Sequence, residues 1–195
     1  MFEKQAVIDF FNKLAPDWDA GQILNAGNIN TILDNAGVYA SRSVLDVACG
    51  TGVLVPWYLE REVASVTGVD ISPEMVRIGR SNHQYPQISF VLGDIEALSF
   101  DQQFDCVVVF NSFPHFPKPE RLISKLARLL KPGGSLTIAH SMSLEQINQH
   151  HSGSASKVSI GLMPADELAE IVCKYLEVTV SIDNDEMYQV VGVKR

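Results

Sequence analysis

The sequence predicts an α/β fold of the doubly wound, Rossmann-like type, built on a mostly parallel sheet. Short runs rich in Val and Ile, typical of buried strands, alternate with helical segments of about ten residues, and a glycine-rich turn directly follows the first of these runs. Strands and helices that alternate in this way form β-α-β units. Right-handed crossovers then place helices on both faces of the sheet.

The predicted core contains five strands with helices between them. The strands are SVLDVA (43–48), SVTGVDI (65–71), ISFVLGD (88–94), FDCVVVF (104–110) and SLTIAH (135–140), and the helices cover 52–61, 73–82 and 118–130.

Further elements are predicted on both sides of this core. Apolar spacing predicts helices at 3–14 and 20–36. Beyond the fifth strand we expect a helix at 144–151, a helix opened by Pro164 that runs to about Tyr175, and an antiparallel hairpin formed by EVTVSID and MYQVVGVK at one edge of the sheet.

Composition narrows the class of protein. A chain of 195 residues with 46% hydrophobic residues suits one domain with a sizeable core. A net charge of −8 without a Lys/Arg cluster argues against a nucleic-acid partner. The apolar run at 107–110 is too short to span a bilayer, and the N-terminal MFEKQAVIDFF does not resemble a signal peptide. Three scattered cysteines without CxxC spacing indicate reduced thiols, so we expect a cytoplasmic protein.

The segment VLDVACGTGVL (44–54) is the strongest motif. Gly50 and Gly52 allow a tight turn in which the backbone approaches a ligand, and the helix that follows begins with unpaired N–H groups. Taken alone, this loop could bind a dinucleotide or be only a tight turn.

Acidic residues follow the next two strands. Asp70 ends the second strand, where a carboxylate can accept hydrogen bonds from ribose hydroxyls. It could instead cap the next helix, although Ser72 suits that role and would leave Asp70 free for a ligand. Asp94 and Ile95 suit an adenine edge, with a carboxylate for the exocyclic amine and an apolar wall; the alternative is the N-cap of a short helical turn.

Five segments together resemble the motifs of class I S-adenosylmethionine (SAM)-dependent methyltransferases in order and spacing: DVACGTG, GVDISPEMV, GDIEALSF, FDCVVVFNSF and LARLLKPGGSLTI. The resemblance implies a seven-stranded sheet in the order 3-2-1-4-5-7-6 with strand 7 antiparallel. It implies SAM as cofactor and S-adenosylhomocysteine as product. A NAD site fits less well, because the loop lacks the third glycine of GxGxxG. Residues 140–164 resemble a subgroup related to the ubiquinone and menaquinone methylating enzymes.

The same resemblance implies a set of cofactor-binding residues and a division of the chain. Asp46 would lie near the methionine amino group, the glycine loop beneath the cofactor, Asp70 at the ribose and Asn111 beside the methionine part. The full predicted set is Phe11, Trp18, Asp46, Ala48, Gly50, Thr51, Gly52, Asp70, Ile71, Met75, Asp94, Ile95 and Asn111. We expect one domain over 1–195, with an N-terminal helical arm at 1–36, a SAM-binding core at 37–140 and an acceptor-side region at 141–195.

The arm ends in FNKLAPDWDA (11–20), which resembles a pattern of Phe11, Ala15, Trp18 and Asp19 that folds over the cofactor in such methyltransferases. We therefore expect a lid in which Phe11 and Trp18 close over the methionine end of SAM. The alternative is that Trp18 only anchors the arm to the sheet through a large apolar burial.

Three histidines are the predicted catalytic residues: His115, His140 and His151. They fall in regions expected to face the methyl acceptor, and one could be a general base near neutral pH. Each could instead be a structural polar side chain, and together they could bind a metal, although no HxH or HExxH spacing supports this and no metal is predicted. We expect in-line transfer to a small-molecule acceptor by a monomer or homodimer. The alternatives are a SAM- or nucleotide-binding module without transfer activity, or a metal-binding methyltransferase that uses the histidine cluster.

Overall fold

A computed structural model describes residues 3–22 and 24–195, apart from the side chains of His150, Ser154 and His151. These residues form a seven-stranded sheet in the order β3-β2-β1-β4-β5-β7-β6. The strands are β1 (Ser43–Val47), β2 (Ser65–Asp70), β3 (Ile88–Leu92), β4 (Phe104–Phe110), β5 (Leu130–His140), β6 (Glu177–Asp183) and β7 (Tyr188–Val193). Strands β1 to β5 pair in parallel, whereas β7 is antiparallel to both β5 and β6. The predicted fold and strand order are confirmed.

The helices are close to the predicted segments. They are α1 (Lys4–Leu14), α2 (Ala26–Asn35), α3 (Val55–Glu60), α4 (Pro73–Asn82), α5 (Pro119–Arg128), α6 (Leu144–His151) and α7 (Ala165–Val172). Short 3-10 turns lie at Ala15–Asp17, Asp19–Gly21, Phe113–His115 and Ser154–Lys157.

Two helices begin later than predicted, for local reasons. The side chain of Asn25 caps α2 by accepting a hydrogen bond of 3.1 Å from the backbone N–H of Asn28, so the helix starts at Ala26. Ile23, which the prediction placed in this helix, lies outside the described residues. Helix α3 starts at Val55 because Gly50 and Gly52, with φ of 56° and 88°, occupy a left-handed turn before it.

Both faces of the sheet are covered by helices, as the doubly wound class requires. On one face, strand residues such as Leu45, Val109 and Ile138 pack with α5 and α7 in a continuous apolar cluster. On the other face, Val44 and Val108 pack with α2 and α3. Side chains alternate between these two layers along each strand, so the position of a residue in its strand decides which layer it enters.

The carboxyl ends of the parallel strands meet at one edge, and two non-glycine residues adopt a left-handed backbone there. Ala48 follows β1 with φ of 54°, and Asn111 follows β4 with φ of 51°. Such a conformation costs about 1 to 2 kcal/mol for an L-residue other than Asn or Asp. Backbone strain of this kind concentrates at functional sites, which directs attention to this edge.

Candidate cofactor and active site

A cleft lies at this edge of the sheet, between the loops after β1, β2, β3 and β4 and the N-terminal arm. Most of the residues predicted from sequence line it. They are Phe11, Trp18, Ala48, Gly50, Asp70, Ile71, Met75, Asp94, Ile95, Asn111 and His115. Asp46, Thr51, Gly52 and His140 are not part of this lining.

The carboxylate of Asp70 joins two loops of the cleft. One oxygen accepts a hydrogen bond of 2.8 Å from the backbone N–H of Gly50, and the other accepts one of 2.8 Å from Ser72. Burial raises the pKa of Asp70, while backbone N–H groups of Ser72, Gly50 and Ile71 act in the opposite direction. The sequence suggested that Asp70 would be free for a ligand, but its carboxylate already accepts these two hydrogen bonds. Each carboxylate oxygen nevertheless has a second lone pair with which it can accept a ligand hydroxyl.

Ser72 has the capping role that the sequence suggested for it. Its side-chain oxygen accepts a hydrogen bond of 3.2 Å from the backbone N–H of Met75 and so caps α4. Its hydroxyl donates to the side-chain oxygen of Asn12 on the arm at 2.7 Å. One serine thus links the loop after β2 to α4 and to α1.

Asp94 has the capping role that the sequence left open as an alternative, and it also lines the cleft. One carboxylate oxygen accepts a hydrogen bond of 2.9 Å from the backbone N–H of Glu96, which caps a short turn. The other oxygen forms an ion pair with Lys4, whose ammonium also lies 3.2 Å from Glu96. Ile95 beside it is buried and lines the cleft. An acid and an apolar wall are therefore present at the end of β3.

Asp46, Thr51 and Gly52 support the glycine loop and do not line the cleft. Thr51 is buried, and its hydroxyl donates to the carboxylate of Asp19 on the arm. A Cβ on Gly52 would stand 2.7 Å from the Phe90 ring, so the loop packs too tightly there for a side chain.

Asp46 is buried inside the protein with Tyr58 beside it. Desolvation raises the pKa of Asp46 to about 7; the Tyr58 hydroxyl lowers it and the charge of Asp70 raises it further. Asp46 therefore remains partly protonated at neutral pH, at which an exposed aspartate is fully ionised.

The arm is attached to the loops after β1, β2 and β3. Lys4 pairs with Asp94 and Glu96, Asn12 accepts from Ser72, and Asp19 accepts from Thr51 and from Asn82 of α4. The indole of Trp18 lies over the glycine loop, with its nitrogen 3.5 Å from the position a Cβ on Gly50 would take. This is an ordinary van der Waals distance, so Gly50 is favoured by its left-handed backbone, with φ of 56°, and not by the contact with Trp18.

His115 and the aromatic residues of the arm form a second wall of the cleft. The Phe11 ring lies edge-on to Trp18, with centroids 5.7 Å apart, and edge-on to His115, with centroids 4.9 Å apart. The Nδ1 atom of His115 lies 2.8 Å from the carbonyl oxygen of Val158. Because a carbonyl can only accept, Nδ1 carries the proton, and the lone pair of the neutral ring is on Nε2.

The structure does not bring His140 to this wall. His140 ends β5 fully buried, with its ring 6.0 Å from that of Tyr188 on the paired strand β7. It follows Leu136 and Ile138 at every second position, so strand alternation turns it into the apolar layer under α7. His140 is therefore not among the residues that line the cleft, and the clustering of the three histidines stays a prediction. The side chain of His151 lies outside what the structure describes.

Several lining residues were missed from the sequence. They include Lys4, Val7, Gln22, Cys49, Phe110, Ser112, Glu96, Phe116 and Pro117. Four of them lie inside or beside the predicted motifs and could have been predicted from that position: Cys49, Phe110, Ser112 and Phe116. Lys4 lies 90 positions from Asp94 in the sequence, and the amphipathic pattern of its helix does not indicate that it lines the cleft.

Two further properties concern the described part of the chain. Among the described residues, 3–22 and 24–195, no group of three or more His, Cys, Asp or Glu side chains is placed to hold a metal ion. In that same part, no helix has the length and apolar character needed to cross a bilayer.

The raised pKa of Asp46 predicts a pH-dependent stability. The folded state keeps the proton up to a pH of about 7, whereas an unfolded aspartate loses it near 3.8, so unfolding becomes easier as pH rises through this window. Asp46→Asn has no such titration. Its free energy of unfolding relative to the wild type should therefore rise by roughly 2 to 3 kcal/mol between about pH 5 and pH 8, measured by urea denaturation.

Asp105→Asn is the matched control for this experiment. Hydrogen bonds from Ser43 and Lys131 hold the pKa of Asp105 at about 2 despite desolvation, so its titration lies below the tested range. Its effect on stability should be constant between the two pH values. A constant effect for Asp46→Asn as well would contradict the buried, protonated Asp46.

The chain is similar in sequence to known methyltransferases. Residues 44–134 match the family described as methyltransferase domain. The chain is 35% identical over 135 residues to a ubiquinone biosynthesis O-methyltransferase of Coxiella burnetii, covering 65% of this chain and 57% of that protein. It is 31% identical over 139 residues to a demethylmenaquinone methyltransferase of Renibacterium salmoninarum, covering 68% of this chain and 57% of that protein. The chain thus spans under two thirds of the length of these curated relatives.

Solved structures share the fold. A putative methyltransferase from Haloferax volcanii, in a complex with the Trm112 methyltransferase activator, superposes with a TM-score of 0.79 at 22% identity over 96% of both chains. A SAM-dependent methyltransferase from Mesorhizobium loti superposes with a TM-score of 0.74 at 13% identity, over 87% of this chain and 99% of that one. Residues 44–134 therefore match a methyltransferase domain, and the predicted resemblance to class I SAM-dependent methyltransferases is confirmed.

Proposed function

We propose that this chain transfers a methyl group from SAM to a small-molecule acceptor by in-line displacement. The observation that carries the proposal is the composition of this cleft. The loops after β1, β2 and β3 supply groups suited to SAM on one side, and an aromatic wall with His115 closes the other side. Donor and acceptor could therefore be aligned within one enclosure, which is the main requirement of such a transfer.

The adenosine part of SAM fits the end of the cleft formed by β2 and β3. Asp70 offers two carboxylate oxygens to the ribose hydroxyls, and Ile71, Met75 and Ile95 provide apolar surface for the adenine. Asp94 offers an acceptor for the exocyclic amine. Its ion pair with Lys4 does not prevent this, because Lys4 already lies 3.2 Å from Glu96 and can be held there.

The methionine part fits between the glycine loop and Trp18. The left-handed turns at Ala48 and Gly50 keep side-chain bulk out of this part of the cleft, and Asn111 lines it at the end of β4. Asn111 also exchanges hydrogen bonds of 3.2 and 3.0 Å with Ser141, which hold the ends of β4 and β5 together. Once the carboxyl of Asp46 is ionised, its negative charge beneath the loop would favour the cationic amino group of the methionine part.

The acceptor side suits a flat, hydroxyl-bearing molecule. Phe11, Phe116 and His115 provide aromatic surface, and the Nε2 lone pair of His115 can take the proton of an acceptor hydroxyl. When bound, SAM supplies the electrophilic methyl group and its sulfur keeps the electron pair of the broken bond. The O-methyltransferase among the relatives supports oxygen as the atom methylated.

The N-terminal arm acts as a lid in this proposal. It contributes Phe11 and Trp18 to the cleft and is attached through side-chain hydrogen bonds and ion pairs that involve Lys4, Asn12 and Asp19. These exposed or half-buried contacts are individually weak and can open and close. Closure would exclude water from the methyl group and complete the acceptor pocket.

Binding of S-adenosylhomocysteine tests the cofactor assignment. Asp70→Asn replaces one acceptor oxygen by an NH₂ group that cannot accept from Gly50 or Ser72 or from a ribose hydroxyl. Calorimetry should show affinity weakened by about 1 to 3 kcal/mol, or roughly 5- to 150-fold. Asp105→Asn is the control, near the amino ends of β1 and β4. It removes a carboxylate that accepts from the backbone N–H and the hydroxyl of Ser43, and it should leave the affinity unchanged. No binding to the wild type at sub-millimolar concentration would overturn the assignment.

Transfer itself can be tested with catechol as a hydroxylated aromatic probe. His115→Gln should lower the rate of S-adenosylhomocysteine formation by roughly 10²-fold or more, because the base is lost while the cofactor loops are unchanged. Asp105→Asn, near the amino ends of β1 and β4 and outside the cleft lining, should retain the rate. If His115→Gln weakened cofactor binding as much as turnover, or left turnover unchanged, the role of His115 as base would be rejected.

A further inference from the structure

The carbonyl that holds His115 belongs to a segment with no regular secondary structure. Val158 follows the 3-10 turn Ser154–Lys157, and residues 158–162 then run along the turn that carries His115. A second contact attaches this segment to that turn, a hydrogen bond of 2.9 Å from the backbone N–H of Ile160 to the carbonyl of Pro114. The orientation of the His115 ring therefore depends on where residues 158–162 lie.

One side chain on α6 fixes the other end of the segment. Asn148 donates from Nδ2 to the carbonyl oxygen of Leu162 at 2.9 Å and accepts at Oδ1 from the N–H of Leu162 at 2.7 Å. The amide thus satisfies both backbone groups of one residue, as a paired strand would. Gly161 has φ of 78°, and a Cβ on it would stand 3.3 Å from Oδ1 of Asn148, so the turn and the amide fit closely.

We propose that Asn148 is a positioning residue for His115, acting through residues 158–162 to set the tautomer of the imidazole. The proposal rests on the proposed function, in which His115 is the base. With the carbonyl of Val158 held in place, the proton stays on Nδ1 and the basic lone pair stays on Nε2. If the segment relaxes, the ring loses this preference and can carry its proton on the nitrogen that must accept one.

The test measures the tautomer directly and needs no acceptor. The protein is labelled with ¹⁵N-histidine, and the ring nitrogens of His115 are assigned by the signals that disappear in His115→Gln. At a pH at which the ring is neutral, the wild type should show a protonated Nδ1 and an unprotonated Nε2. Asn148→Ala should lose this pattern in favour of the Nε2-protonated form or a mixture, because the Leu162 backbone groups lose their partner.

Two further variants keep the result interpretable. Asn148→Asp retains an acceptor for the N–H of Leu162 but lacks the donor, so it should change the tautomer in the same direction if Asn148→Ala fails to fold. Gln149→Ala alters the exposed neighbour on the same helix and should keep the wild-type pattern. Calorimetry with S-adenosylhomocysteine, expected to be unchanged in all three, shows that the cofactor loops are intact.

The outcomes separate this proposal from the proposed function. A wild-type ring protonated at Nε2, or an unchanged tautomer in both folded Asn148 variants, would overturn the positioning role. Absence of methyl transfer with catechol would bear on the function alone, because the tautomer is read in the protein without an acceptor. The expected tautomer change together with retained cofactor binding supports the proposal.

Discussion

The two hydrogen bonds of the Asp70 carboxylate are the interactions on which the cleft depends. They bring the loop after β1, through Gly50, to the loop after β2, through Ser72. Ser72 in turn caps α4 and binds Asn12, so the same contact determines where the arm is attached. A buried carboxylate with charge-assisted hydrogen bonds can bind these backbone groups and still offer lone pairs to a ligand. One residue can therefore serve both the loop structure and the cofactor.

Two features at or beside the cleft are of a kind that usually lowers the stability of a protein. Ala48 has a left-handed backbone, and Asp46 is buried in surroundings that favour its protonated form. The surrounding fold offsets these local costs, since the sheet is covered on both faces by apolar clusters. The unfavourable backbone of Ala48 and the buried carboxyl of Asp46 both lie at or beside the cleft. Functional sites are where such local strain usually concentrates.

The sequence predicted the sheet and the cofactor loops well because their signals are local. Buried strands appear as Val- and Ile-rich runs, and glycine at positions 50 and 52 indicates a turn whatever the rest of the chain does. The strand order came from the resemblance to a family. The start of α2 was misplaced because Asn25 caps the helix several residues after the point at which apolar spacing begins.

The acceptor side was predicted less well because it depends on contacts between distant residues. His140 was expected to cluster with His115, but it is fully buried at the end of β5 and does not line the cleft. Lys4 pairs with Asp94 across the cleft, and Asn148 reaches His115 only through the backbone of residues 158–162. None of these pairings has a spacing in the sequence that would reveal it.

A crystal structure of the protein with bound S-adenosylhomocysteine tests the central claim most directly, namely that the loops joined by Asp70 form the cofactor site. We expect the ribose hydroxyls within hydrogen-bonding distance of the Asp70 carboxylate, the adenine against Ile95 with its amine at Asp94, and the sulfur on the side of the cleft that faces His115. Electron density for the ligand outside this cleft, or a ribose that does not contact Asp70, would contradict the account.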